Sequence, residues 1–229
     1  MEESKIFKNI WRFNAIVIMI IGLFGIGTAI FSSIMLYKNL TRDINVRNIV
    51  NVETSTKKEE WNLGNITSIN GSNYIIIPLY SNQNYSMDSY IKSASSIRNY
   101  LFLDTVENKK YWLFSNNDYL ITQINMLPNN SYKEQPQDTK AILYYVVKSD
   151  KNNDKLLTAS DSQTIAISKP DGTNYKELLD EIDFINGYKI NSDSSMVVIY
   201  QRKNIAYSAK INLSTFSVSD ESALPSVNH

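Results

Sequence analysis

The sequence predicts one N-terminal transmembrane α-helix followed by a mostly-β soluble domain. Two observations carry that expectation. Ala15 to Tyr37 reads AIVIMIIGLFGIGTAIFSSIMLY, apolar and without a charge. From Trp61 onward the chain breaks into short runs rich in Ile, Val, Tyr and Thr, divided by Asn, Asp, Ser and Pro, as strands and turns require. Four segments follow from this: a short tail over 1–14, the membrane helix over 15–37, a juxtamembrane helix and linker over 38–60, and the β domain over 61–229.

At about 1.5 Å rise per residue the apolar stretch spans roughly 34 Å, enough for a bilayer core of about 30 Å. Trp11 and Tyr37 bracket it and Arg12 and Lys38 close it with charge, as membrane interfaces favour. A cleaved signal peptide has a shorter apolar run, about 7–15 residues, ending at a small-residue site and a polar mature start. Nothing downstream matches the stretch, so a single crossing is expected. Lys5, Lys8 and Arg12 precede it and Lys38, Arg42 and Arg47 follow it. The positive-inside rule nearly cancels between these flanks. A short basic tail retained in the cytoplasm is the commoner arrangement, which places the C-terminal domain outside.

Within the stretch Gly25, Ala29 and Ser33 recur every four residues, with Gly22 nearby. Small residues at this spacing let helix backbones approach closely, and Gly is also common in membrane helices generally. As a contact face, the four imply a homo-oligomer or other membrane protein subunits beside the lipid bilayer. The polar segment after the helix continues it through Leu36, Leu40 and Ile44 before becoming a linker.

The β domain is read run by run. Tyr74–Tyr80 (YIIIPLY) is continuously apolar, as a buried strand is, with Pro78 pushing its end toward an edge. Met87, Tyr90, Ile91, Ala94 and Ile97 follow helical spacing with Ser86 as a cap, predicting a short amphipathic helix. Tyr100–Val106 and Lys110–Phe114 form a hairpin around Glu107-Asn108-Lys109. Tyr119–Asn125 alternates, and Ala141–Lys148 (AILYYVVK) is the strongest strand. Thr164–Ser168 enters Lys169-Pro170-Asp171-Gly172-Thr173, where Pro fixes φ and Gly tolerates a positive φ. A second short helix or turn covers Tyr175–Glu181. Met196–Gln201 and Ile205–Ile211 flank Arg202-Lys203-Asn204 as another hairpin. Such spacing indicates a sandwich, barrel or propeller.

Composition narrows the chemistry. The chain has 229 residues, 23 Lys+Arg against 23 Asp+Glu, no Cys and one His. Without Cys there is no disulfide, thiolate nucleophile or Cys-held zinc. The His is His229, the last residue, so neither a Ser-His-Asp triad nor a His-rich metal cage is expected. A net charge of zero argues against nucleic acid, whose phosphates recruit a basic surplus.

Two resemblances add to this. Over 141–179, strand, polar loop and TIAISKPDGTNYKELL together resemble a blade of TolB-like or WD-repeat β-propellers, whose strands end in such a turn. At about 40 residues per blade the soluble part holds at most four, which implies a partial β-propeller-like sheet or a β-sandwich. Separately, W-R-F-N before the apolar stretch, N-I-V-N-V after it and S-A-S-S-I-R-N-Y-L-F further on are similar to an uncharacterised family of single-span bacterial envelope proteins. That resemblance supports a bacterial inner-membrane anchor and adds no chemistry; with the orientation above, the expected place of the β domain is the periplasm.

Candidate functional residues are few. Asp150, Asp154, Asp161, Asp171, Asp180, Glu181, Asp183 and Asp193 cluster in the C-terminal half. Paired carboxylates perform acid–base hydrolysis, but these sit in predicted turns, where Asp bonds the local backbone. Asp150-Lys-Asn-Asn-Asp154 alternates oxygen ligands as calcium loops do, but lacks the Gly and Glu of an EF-hand. Tyr80, Tyr85, Tyr90, Arg98 and Trp112 have the composition of a protein interface, while Tyr and Trp suit strand cores equally.

The expectation is a non-catalytic, membrane-anchored accessory or scaffolding subunit without cofactor or metal. A binding module for a small envelope ligand is the alternative, and a carboxylate hydrolase comes third. Alkaline carbonate extraction should leave the full chain in the membrane pellet; release into the supernatant would overturn the predicted crossing.

Overall fold

The structure is a computed structural model and describes residues 5–40, 46–52, 60–87, 90–128, 137–192 and 194–226. Two units result, residues 1–44 and 45–229. The first contains α1, Lys5–Leu40, in which the 29 residues Asn9–Tyr37 are long and apolar enough to cross a membrane. The helix starts well before Ala15, inside the predicted tail, because Ile6, Phe7, Ile10 and Trp11 interrupt the polar residues with no Gly or Pro to stop it. Ile44 lies outside the described residues.

The second unit is all strand and turn among its described residues. It begins with β1 (Val46–Arg47), β2 (Val50–Asn51), β3 (Glu60–Leu63), β4 (Thr67–Ser68) and β5 (Tyr74–Met87). Next come β6 (Tyr90–Asp104), β7 (Lys110–Trp112), β8 (Leu120–Leu127), β9 (Ala141–Val147), β10 (Leu156–Leu157) and β11 (Gln163–Ser168). The chain ends with β12 (Lys176–Ile182), β13 (Phe184–Ser192), β14 (Ser195–Arg202), β15 (Ile205–Asn212) and β16 (Ser217–Ala223).

Three large sheets arise in chain order, beside a two-stranded ladder of β2 and β10. The first runs β3-β5-β6, with β4 beside β5 and β1 and β7 beside β6; the second is β8-β9-β11-β12 and the last β13-β14-β15-β16. The second sheet is the middle layer. Every residue of β9 and of β11 is buried. On one side Leu143, Tyr145, Ile165 and Ile167 pack with Met196, Val198, Tyr200 and Ile211 of the last sheet. On the other, Ile142, Tyr144, Val146 and Ala166 pack with Ile76, Tyr100 and Phe102 of the first. Each large apolar side chain removed from water here contributes about 1.5–3 kcal/mol. Successive antiparallel meanders stacked face to face lay the domain out as a partial β-propeller-like array, short of the four to eight blades that typically close a ring.

The Pro-Asp-Gly turn joins β11 to β12 and also docks the first sheet on the middle one. Gly172 has φ +79°, and a Cβ there would meet the Phe102 ring at 2.6 Å. The Tyr111 hydroxyl donates to the Asp171 carbonyl. Asp171 Oδ1 accepts from Thr173 N (3.0 Å) and Thr173 Oγ1 (2.7 Å), the local bonding that makes Asp a turn residue. In the β14–β15 hairpin, Lys203 and Asn204 both have positive φ, 51° and 62°, as a two-residue turn matched to strand twist requires.

Four expectations are corrected. The amphipathic helix on Met87, Tyr90, Ile91, Ala94 and Ile97 is instead the end of β5 and the start of β6, paired from Tyr74↔Asp104 to Met87↔Tyr90. A long ladder on offer outweighs a five-residue periodicity interrupted by three poor helix formers, Ser93, Ser95 and Ser96. Tyr175–Glu181 is largely β12, held by antiparallel pairing to β11. Part of the expected linker belongs to the β fold: β1 pairs with β6 and β2 with β10. There Ser96 Oγ both accepts from Ile49 N and donates to Ile49 O, and Val50 is buried against Leu120, Val147 and Leu157. Finally, Pro78 lies inside a ladder rather than at an edge. Its carbonyl accepts from Gly64 N at 2.8 Å, so its missing N–H faces the gap between β3 and β4, where no ladder bond is lost.

Gly172→Ala should lower stability by about 2–4 kcal/mol, combining left-handed strain with overpacking against Phe102. Chemical denaturation of the solubilised full chain followed by Trp fluorescence measures this; an unchanged midpoint would deny the docking role.

Candidate functional site

Two features of the first sheet are candidates, one on each side. The inner side opens into a groove of about 510 Å³ lined by Gly64, Thr67, Pro78, Tyr80, Tyr100 and Met126, with Asn65, Ile76 and Ile124 completing it. It exists because the chain leaves β3 at Gly64 and rejoins the sheet only at β4. Gly64 is needed there, since a Cβ would fall 2.4 Å from the Tyr80 ring and 2.7 Å from Pro78. Ile124 and Met126 reach in from β8, the edge strand of the middle sheet. Every lining residue is uncharged. Burial, reinforced by neighbouring Tyr80, pushes the Tyr100 hydroxyl far above its ordinary range. The groove is therefore neutral across physiological pH, suited to an uncharged, largely apolar group held by a few polar contacts from Asn65 and Thr67.

The outer side of the same sheet is an apolar face. Cross-strand neighbours there are Ile75 with Leu103, Ile77 with Leu101, and Leu101 with Trp112. Leu63 lies opposite Leu79 on the same side. The aliphatic residues of β5 and β6 on this side are partly exposed apart from buried Leu79, while Trp112 is 41% and Leu63 58% exposed.

The residues singled out from the sequence do not form one surface. Trp112 belongs to the outer face. Tyr80 alternates to the inner side and borders the groove. Arg98 is buried at the irregularity where β6 shifts register against β5, and its Nε donates to the Asn117 carbonyl at 2.8 Å. Tyr85 and Tyr90 lie in β5 and β6, and their side chains are outside the described residues. Next to Arg98, Asn99 binds the loop after β7 through the Phe114 N–H and the Phe114 and Asn116 carbonyls. This pair of buried polar residues is a structural clamp that no sequence pattern marks. Gly22, Gly25, Ala29 and Ser33 lie along α1, and a Cβ at Gly22 or Gly25 would meet nothing within 4 Å. Ser33 Oγ donates to the Ala29 carbonyl at 2.8 Å and Thr28 Oγ1 to that of Gly25 at 2.9 Å, so both hydroxyls are satisfied within the helix, as an apolar surrounding demands.

The carboxylates act on backbone. Asp161 is fully buried and accepts from Lys151 N and Thr158 N, both at 2.9 Å. Asp150 accepts from Lys155 N at 2.7 Å, Asp154 from Leu156 N at 2.9 Å and Asp183 from Lys203 N at 2.6 Å. Asp180 and Glu181 lie exposed on β12, where the Lys151 ammonium holds the Glu181 carboxyl below its usual range. Asp193 is outside the described residues. Among the described residues no three His, Cys, Asp or Glu side chains gather as a metal cluster.

No family model and no curated protein matches the chain. Among solved structures, it is similar to the β-propeller domain of the Trilobed protease from Pyrococcus furiosus, at a TM-score of 0.39 and 10% identity. That alignment covers 72% of this chain and 43% of the other, so the chain spans less than half of that protein. No activity is transferred by a likeness of this size.

The Tyr111 hydroxyl, which links first and middle sheets, is pushed up from 10.0 to about 12, by burial first and then by the Asp171 carboxylate. A raised folded value means that its contribution is complete below the unfolded value and is lost as pH rises. Stability should therefore fall between pH 10.0 and about 12. Tyr111→Phe should make that alkaline decline shallower in denaturation midpoints taken across the range; an identical slope would remove Tyr111 from it.

Proposed function

We propose that the chain is a non-catalytic, membrane-anchored accessory or scaffolding subunit of a bacterial envelope complex. In this reading α1 crosses the inner membrane once and the β domain stands in the periplasm. The observation that carries it is the outer face of the first sheet, where Ile75, Ile77, Leu101 and Leu103, each partly exposed, lie beside exposed Trp112. Apolar area of this kind on a folded domain marks an interaction surface. The short basic tail with Lys5, Lys8 and Arg12 fits the commoner single-span arrangement with a cytoplasmic N-terminus, the positive-inside count itself nearly cancelling against Lys38, Arg42 and Arg47. Proximity to lipid and to other membrane subunits follows from the anchor, and the balanced charge argues against a nucleic-acid partner.

The groove supports a second reading, a binding or sensing module for a small envelope ligand. Its neutral aromatic lining fits an uncharged ligand, which would stabilise the folded chain in proportion to its affinity. A carboxylate hydrolase has least support, since the Asp side chains lie in turns and accept from backbone N–H groups.

Mild-detergent purification of the tagged full-length protein from its own membranes tests the first reading. A different chain should co-purify at fixed stoichiometry. A lone species whose melting temperature rises with a specific uncharged ligand would replace the subunit reading with the sensing one.

A further inference from the structure

The groove on the inner side of the first sheet has at its floor a polar atom that the fold does not use. Ile76, Pro78 and Tyr100 form that floor and are buried. Tyr80, Ile124 and Met126, half-buried, make the walls, while Asn65 and Thr67 stand exposed at the rim. Pro78 lies directly opposite Tyr100 and Ile76 opposite Thr67, so pairing register sets these side chains on one side.

Tyr100 is 3% exposed. Its backbone is satisfied, the N–H by Asn99 Oδ1 at 2.9 Å and the carbonyl by Leu113 N at 2.8 Å. Its hydroxyl takes no hydrogen bond among the described residues. A buried phenol ordinarily finds a partner, and Tyr144, the other buried tyrosine of that core cluster, has Ser168. The Tyr175 hydroxyl is unpartnered too, but it is sealed in, whereas that of Tyr100 lines the groove.

The lining selects the chemistry of an occupant. A carboxylate, phosphate or ammonium would lose its hydration and meet no opposite charge. A sugar carries a hydroxyl on nearly every carbon, and Ile76, Pro78, Ile124 and Met126 offer those hydroxyls nothing. A plain hydrocarbon would suit these residues but leave the Tyr100 hydroxyl dry and unpaired. An apolar body with one acceptor oxygen meets both demands. An acceptor is required because burial and neighbouring Tyr80 hold the proton on Tyr100, leaving a donor to be matched. An aromatic body gains ring and sulfur contacts with Tyr80 and Met126.

We propose that the groove binds an uncharged small molecule with an aromatic body and one carbonyl oxygen, the oxygen accepting from the Tyr100 hydroxyl. The proposal deepens the binding-module reading and rests on it. About 510 Å³ is ample for a molecule of this kind. Its body lies against Ile124 and Met126, and any second polar group reaches Asn65 or Thr67 at the rim.

Thermal midpoints of the full-length chain in nanodiscs, for the native sequence and for Tyr100→Phe, provide the test. The probes are acetophenone, ethylbenzene (the same skeleton without the oxygen), benzoate and N-acetylglucosamine. Acetophenone should raise the native midpoint more than ethylbenzene does. Tyr100→Phe should weaken acetophenone roughly three- to tenfold, the worth of one hydrogen bond, and leave ethylbenzene unchanged. Partition into lipid acts on both chains alike and drops out of the comparison. Without any probe, Tyr100→Phe should keep or raise the midpoint, since an unpartnered hydroxyl has no bond to lose. A clear drop would show the hydroxyl already satisfied and would overturn the proposal. Equal action of acetophenone on both chains would do the same. Stabilisation by benzoate or N-acetylglucosamine in its place would keep a small-ligand site and remove the stated chemistry. No stabilisation by any probe would overturn the proposal and the binding-module reading of this groove together.

Discussion

The β domain depends on burying one sheet on both faces. β9 and β11 have no exposed residue, so the middle sheet cannot exist in water without a layer over each side. That requirement sets the order of the fold: the strands before it supply one cover and the strands after it the other. It also explains why a strand as apolar as AILYYVV is tolerated, since a two-sided layer is the one place where continuous hydrophobicity costs nothing. Within it the buried Tyr144 hydroxyl is met by Ser168 Oγ at 2.8 Å, as a buried polar group requires.

Around this layer, short polar residues fix the joints. Asp161, Asp171 and Asp183 hold turns by accepting backbone N–H groups, and Asn99 clamps the loop after β7. The turn at Gly172 does two things at once, reversing the chain and seating the Phe102 ring of the first sheet. Packing and turn geometry are thus coupled at one residue, and a change there is felt by two sheets.

The first sheet carries the functional interest because its two sides have opposite fates. One side contributes Ile76, Tyr100 and Phe102 to the core and leaves a neutral groove where β3 gives way to β4. The other keeps a patch of aliphatic residues and Trp112 at the surface. Both follow from a single apolar strand, β5, whose alternate residues point in opposite directions. The apolar outer face and the neutral groove are therefore properties of the same few residues read on two sides.

The sequence by itself determined the apolar helix, the mostly-β character of the rest, the strongest strands and the turns at Pro170-Asp171-Gly172 and Lys203-Asn204, because these rest on local composition, alternation and φ preferences. It did not disclose that 87–97 is strand, that 46–51 joins the sheets, or that Arg98 and Asn99 are buried. Those outcomes depend on partners far along the chain: β5 for 90–104, β6 and β10 for 46–51, and the 113–117 loop for Arg98 and Asn99. Likewise Tyr80 and Trp112 read alike as interface or core aromatics, and only pairing register assigned them to opposite faces. Local sequence sets what a segment can become, whereas which strand it pairs with, and so which side chains remain at the surface, is decided by contacts that exist only once the sheets have stacked.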